Sequence, residues 1–99
     1  MHYVTVTELE TTGFTSCKIQ GLLSGEVLNL RGEFNNLNLI NTDEEKFLEV
    51  DTAGIQVLNM LAGDDYNYRV TSQSMAMEKT NIGGRTIQVQ KLVWTLSKT

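Results

Sequence analysis

Alternating apolar and polar residues at two places in the chain predict β-strands. In residues 2–9, Val4 and Val6 fall on one face and threonines fall on the other, and the β-branched content suits a strand. Residues 66–70 alternate in the same way. We expect both segments to be strands of a sheet.

The middle of the chain has a helical period instead. Ile55, Leu58 and Leu61 follow one another at intervals of three residues, as on the core-facing side of a helix. We therefore predict a helix from about Thr52 to Ala62. Residues 24–35 fit a second, short helix, and a hairpin strand is the competing interpretation there.

The pattern is less decisive in the remaining segments. Residues 36–40 favour a short strand, and residues 72–79 favour a short helix in which Met75 and Met77 fill the core. In residues 79–99 the spacing of the apolar residues fits a helix, whereas the residue types fit a strand with a β-bulge. Both interpretations of residues 79–99 stay open.

The chain of 99 residues contains no proline, no long Gly/Ser tract and no internal repeat, so we predict one domain spanning residues 1–99. The predicted elements describe a small α/β protein with a mixed sheet and two to four helices. No apolar run approaches the roughly 18 residues of a transmembrane helix, and the N-terminus lacks a signal-peptide pattern. We expect a cytoplasmic protein without membrane insertion.

Charge is distributed unevenly along the chain. The formal net charge of −4 argues against nucleic-acid binding, which needs an excess of basic residues. All 12 acidic residues lie at or before Glu78. Residues 79–99 carry only basic charges, and this segment is either a solvated face or a docking surface for an acidic partner. Its basic residues are Lys79, Arg85, Lys91 and Lys98.

Few side chains are suited to catalysis or metal binding. His2 is the only histidine and Cys17 the only cysteine, which excludes an internal disulfide and a zinc site of the usual ligand count. The acidic residues cluster in predicted turns, where they serve solubility, so a small carboxylate enzyme ranks last among the hypotheses. We predict a non-enzymatic protein that binds no metal and no cofactor.

The most informative motif is Asp51-Thr52-Ala53-Gly54-Ile55, which follows a predicted strand and opens the predicted helix. Together with residues 37–72 around it, this motif resembles the signature of the STAS domain. That module occurs in bacterial anti-sigma factor antagonists and in the cytoplasmic parts of sulfate transporters. The resemblance implies a STAS-like α/β fold and a non-catalytic, regulatory role in binding another protein.

The resemblance also implies a site at the start of the helix. Thr52 matches the position that is phosphorylated or contacts the partner in many members of the family. The partner would be a kinase, an anti-sigma factor or a transporter subunit. The predicted partner-binding residues are Asp51, Thr52, Ala53, Gly54 and Gln56.

Physical chemistry gives the motif two further interpretations. The Thr52 hydroxyl can cap the backbone amides at the helix start, and Ala53 and Gly54 leave the surface around it bare for a partner. A phosphate on Thr52 would add about −1.5 to −2 charge beside Asp51 and eject a docked acidic partner.

The alternative hypothesis treats the motif as a chance match. The chain is then a strand-rich structural, adaptor or inhibitor protein, for example of phage origin, and its abundant Thr and Asn fit that description.

Overall fold

The described residues form a sheet of six strands with two helices. The structure is a computed structural model that describes residues 1–11 and 13–99, apart from the side chains of residues 80 and 82. The elements in chain order are β1 (His2–Thr11), β2 (Phe14–Gln20), α1 (Ser24–Asn36), β3 (Asn41–Asp43), β4 (Leu48–Val50), α2 (Gly54–Leu61), β5 (Arg69–Ile82) and β6 (Arg85–Lys98).

The strand order in the sheet is β3-β4-β2-β1-β6-β5, and each neighbouring pair is antiparallel. Strand β1 lies between β2 and β6, with His2 opposite Lys98 and Glu8 opposite Leu92. The two edges differ greatly in length. Strand β3 has three residues, whereas β5 has 14.

Both helices pack on one face of the sheet, here called the helix-side face. Val4 and Val6 of β1 point to this face and join the buried core, and the alternation predicted for residues 2–9 is thereby confirmed. The other face, here called the open face, carries the threonines of β1. The remaining buried core residues are Cys17, Ile19, Leu30, Phe34, Leu48, Val50, Val57, Leu58, Leu61, Tyr66, Tyr68 and Leu96.

The predicted STAS-like α/β fold with a mixed sheet is wrong. The sheet is antiparallel throughout and strand-rich, with only two helices among the described residues. Residues 72–79 are the main source of the error, because they form part of β5 rather than a helix. Met75 and Met77 alternate with Ser74 and Ala76 as they do in a strand, and pairing with β6 holds the segment in that conformation.

Residues 85–98 are strand as well, which settles the open question about the last segment. The Gly83-Gly84 turn has φ angles of 60° and 80°, the left-handed pair that a two-residue hairpin turn requires. No bulge is needed in β6, because Val89 lies on the open face while Leu92 lies on the helix-side face. The irregularity of the hairpin falls in β5, between Val70 and Ser72.

Helix α1 confirms the predicted short helix and is tied to β6 by a buried carboxylate. Glu26 accepts hydrogen bonds from the Leu23 amide at 3.0 Å and from the Tyr68 hydroxyl at 2.7 Å, and it forms an ion pair with Lys98. Burial acts to raise the pKa of Glu26, but the hydrogen bonds from Lys98, Leu23 and Tyr68 and the charge of Lys98 outweigh it. The pKa of this carboxyl therefore lies below its usual value.

None of the helices in the described ranges, 1–11 and 13–99, is long and apolar enough to cross a membrane.

Candidate protein-binding surface

Helix α2 begins at Gly54, two residues after the predicted start. The residue before it, Ala53, has an extended backbone and no side-chain oxygen that could accept a hydrogen bond from the first amides. The missing hydrogen-bond acceptor comes from strand β1. Glu8 of β1 accepts a hydrogen bond from the Gly54 amide at 2.5 Å.

The side chain of Trp94 explains why residue 54 is a glycine. Trp94 of β6 is half-buried and lies directly against Gly54, so that a Cβ atom built at this position would overlap the indole ring. The same Cβ atom would lie 3.1 Å from the Glu8 carboxylate. Close packing of a helix start on a tryptophan therefore accounts for this glycine of the motif.

Thr52 is buried, with 9% of its surface exposed, and it does not cap the helix. Its hydroxyl donates a hydrogen bond to the side-chain oxygen of Gln56. Its backbone carbonyl accepts a hydrogen bond from the Cys17 thiol at 3.3 Å, and burial together with the nearby Glu8 charge raises the pKa of that thiol to about 12. A kinase would reach the Thr52 hydroxyl only after this segment had opened.

The predicted partner-binding residues lie together at the start of α2, but most of them are covered. Thr52 and Gly54 are buried, Asp51 and Gln56 are half-buried, and Ala53 is exposed. Ile55, which the helical pattern assigned to the core, is 64% exposed, and Val57 takes its place among the buried residues of α2. Partner binding and phosphorylation at this site stay predictions.

A more accessible apolar surface lies beside the start of α2. It is formed by four residues of β5 and β6 on the helix-side face, here called the apolar strip: Met75, Met77, Leu92 and Trp94. Met75 lies opposite Leu92, and Glu8 places the start of α2 next to the same pair of strands. Met75 is 64% exposed and Met77 55% exposed, while Leu92 and Trp94 are half-buried.

The apolar strip is left uncovered because the helices pack elsewhere on the sheet. Helix α2 contacts mainly β1 and β2, and α1 lies near β3. Within the strip, the Gln90 amide donates a hydrogen bond to the Met75 sulfur at 3.4 Å, which holds one methionine over the strand pair. Glu8 and Glu10 of β1 border the strip on the same face.

Among the described residues, the remaining candidate groups do not gather into a metal-binding site. The His2 ring forms a hydrogen bond with the Gly21 carbonyl at 2.6 Å. In the part of the chain that the structure describes, no three His, Cys, Asp or Glu side chains come together as a metal site would require. The prediction that the protein is not an enzyme stays a prediction.

The basic residues of the last segment do not form one surface either. Lys98 pairs with Glu26, Lys91 lies 3.8 Å from Glu78 on the open face, and Arg85 is exposed at the hairpin turn.

Sequence reasoning missed the apolar strip, although a signal was present. Met75 and Met77 alternate with Ser74 and Ala76, which is the period of a strand.

No protein-family model matches this chain, and no curated protein is significantly similar to it in sequence. The resemblance to the STAS domain therefore rests on the residues of the Asp51–Ile55 motif and their surroundings, within a fold of different topology.

Proposed function

We propose that this protein is a non-catalytic protein-binding module that holds an apolar segment of another protein on the apolar strip. The observation that carries the proposal is the exposure of Met75 and Met77, at 64% and 55%, on the part of the helix-side face over β5 and β6, away from the strands that the helices mainly contact. Exposed apolar side chains grouped on one face are typical of interaction sites.

The composition of the apolar strip suits this role. Methionine is unbranched and polarisable, so it adapts to apolar partners of different shape. Trp94 adds a large, partly exposed ring of the kind that dominates binding energies at interfaces. Its position is fixed by packing against Gly54.

The charges beside the strip indicate the chemistry of the partner. Glu10 is exposed on the same face, and the half-buried Glu8 lies next to it along β1. A partner segment with two or three apolar residues followed by a basic residue would match both the strip and this acidic border.

The regulatory role that the STAS resemblance implies has less support. The Thr52 hydroxyl is already bonded to Gln56 and is buried, so a phosphorylation switch there requires the segment to open. A cytoplasmic location agrees with the free, buried thiol of Cys17, because such thiols are typical of reducing compartments.

The proposal is tested by selecting peptides from a displayed random library against the wild-type protein. The selected peptides should be apolar with a basic residue, and Met75→Glu should weaken their binding by at least about tenfold, because a carboxylate replaces the most exposed apolar contact. Titration calorimetry or fluorescence anisotropy measures the affinity.

The matched control is Thr7→Glu, which adds the same charge on the open face of β1. Peptides should bind this variant as tightly as they bind the wild type. Selection of no peptides, or selection of peptides that bind Met75→Glu and the wild type equally, would refute the proposed surface.

A further inference from the structure

Strand β5 forms an unusually long free edge of the sheet. It has 14 residues, whereas the opposite edge strand has three. Every residue from Arg69 to Lys79 is exposed, and the chain contains no proline that would interrupt pairing. An edge of this kind presents unpaired backbone amide and carbonyl groups that can bind another strand.

We infer that a second copy of this chain pairs with β5 through its own β5, antiparallel, about a two-fold axis at Ser74. The pairing joins two six-stranded sheets into one sheet of twelve strands. This inference concerns the strand edge and does not depend on what binds the apolar strip. Charge complementarity along β5 identifies the occupant.

The register of this pairing follows from the faces of β5. Because the irregularity at Thr71 shifts the alternation, Arg69 and Glu78 both lie on the open face, opposite Ser97 and Val89 of β6. With Thr71 set aside as the bulge residue, a two-fold axis at Ser74 places Arg69 of each copy opposite Glu78 of the other. The pairing therefore creates two ion pairs of opposite charge.

The helix-side face is complementary in the same register. Val70, which is 50% exposed, comes opposite Met77 of the second copy, and Gln73 comes opposite Met75. A small residue faces a small residue on the open face, where Ser72 lies opposite Ala76. The apolar residues thus meet on one side of the new strand pair and the ion pairs form on the other.

Other registers lack this match. Moving the axis by one residue to Gln73 sets Arg69 opposite Ala76, and moving it to Met75 sets Glu78 opposite Ser72. Both shifts keep side chains on matching faces but leave the charges without partners. Arg69, Glu78 and Lys79 are the only charged residues of residues 69–79, so the complementarity depends on their two positions alone.

The helices leave room for the second copy. A two-fold axis perpendicular to the sheet puts the helices of both copies on the same side. They lie mainly over β1, β2 and β3, so β5 and β6 of each copy separate them. With strands about 4.8 Å apart, four strands lie between the two sets of helices.

Charge reversal tests the inference on the full chain. Wild type should sediment as a dimer at high micromolar concentration in analytical ultracentrifugation. Arg69→Glu and Glu78→Arg should each raise the dimer Kd by about tenfold or more, because each creates two like-charge contacts. The double variant Arg69→Glu/Glu78→Arg should restore the wild-type Kd.

Two controls separate the contact between copies from effects inside one chain. Lys91→Gln removes the ion pair that Glu78 makes within the chain, and Arg85→Glu reverses a charge at the exposed hairpin turn. Both should leave the dimer Kd unchanged. A monomeric wild type, or a double variant that dimerises no better than its single parents, would overturn the inference.

Cysteine cross-linking tests the register itself. Ser74→Cys places two thiols opposite each other at the axis and should give a covalent dimer with a short bis-maleimide. Ser72→Cys should give far less, and Ser72→Cys/Ala76→Cys should restore cross-linking. Equal cross-linking of both single variants would exclude this register. Melting curves on each variant identify any loss of fold.

Discussion

The carboxylate of Glu8 accepts a hydrogen bond from the backbone amide of Gly54, 46 residues further along the chain. This contact places a negative charge at the first amide of α2, where the helix dipole favours it. It therefore performs the role that Thr52 would have had as a cap. It also joins the start of α2 to β1.

Removing this carboxylate should destabilise the protein. Glu8→Ala is expected to lower the free energy of unfolding by about 1 kcal/mol, the usual cost of losing a helix cap. Urea denaturation followed by circular dichroism measures it. Glu10→Ala, two residues further on the same face and exposed, should change the stability little. Equal effects of the two variants would contradict the capping role.

A methyl group at residue 54 should be poorly tolerated. Gly54→Ala drives a Cβ atom into the Trp94 ring and is expected to cost about 1–3 kcal/mol of unfolding free energy. Gly32→Ala in α1 meets no atom within 4 Å and should instead stabilise by about 0.5–1 kcal/mol, because alanine favours helix. Thermal melts of both variants should move in opposite directions.

The buried Glu26 should make stability depend on pH below the usual pKa of a glutamate. Its pKa in the folded protein lies below the reference value of 4.5, so its stabilising effect is fully present at neutral pH. The effect disappears as the pH falls through the folded-state pKa, when the carboxylate gains a proton.

Glu26→Gln should therefore be less stable than wild type by about 1–3 kcal/mol at pH 7. The difference should shrink steadily as the pH falls below 4.5. Denaturation at a series of pH values measures this, and the exposed Glu45→Gln serves as the control. A difference between wild type and Glu26→Gln that stays constant down to strongly acid pH would show that the charge is not responsible.

Introducing a charge at Thr52 should weaken the fold. Thr52→Glu places a carboxylate at a buried position and breaks the hydrogen bond to Gln56, at a cost of at least about 2 kcal/mol. Thr52→Ser keeps the hydroxyl and should stay near the wild type. If Thr52→Glu proved as stable as wild type, the site would accommodate a phosphate and the switch hypothesis would regain support.

Strand alternation predicted β1 correctly, but the strand predicted for residues 66–70 is wrong for residues 66–68, because β5 begins only at Arg69. The alternation around Val4 and Val6 reflects burial of one face of β1. Leu58 and Leu61 of α2 also lie in the core, as their spacing indicates. Both patterns reflect local geometry alone. Ile55 continued the same spacing, yet the buried stripe of α2 runs through Gly54, Val57, Leu58 and Leu61. Ile55 lies about 100° round the helix from Gly54 and stays exposed.

The topology was not readable, because it depends on partners distant in sequence. The composition of residues 72–79 fits a helix as well as a strand, and pairing with β6 makes them a strand. The capping of α2 by Glu8 likewise joins two distant segments, so that no window around Thr52 contains it. The apolar strip likewise depends on the pairing of β5 with β6.

The central place of β1 has a consequence for how the protein is made. Its neighbour β6 pairs with it from the far end of the described residues, with His2 opposite Lys98, so β1 obtains its second partner only after residues 85–98 have been synthesised. The sheet cannot grow strand by strand during translation. Until β6 emerges, one side of β1 remains free to bind chaperones or neighbouring nascent chains, and we expect this long-range pairing to slow folding.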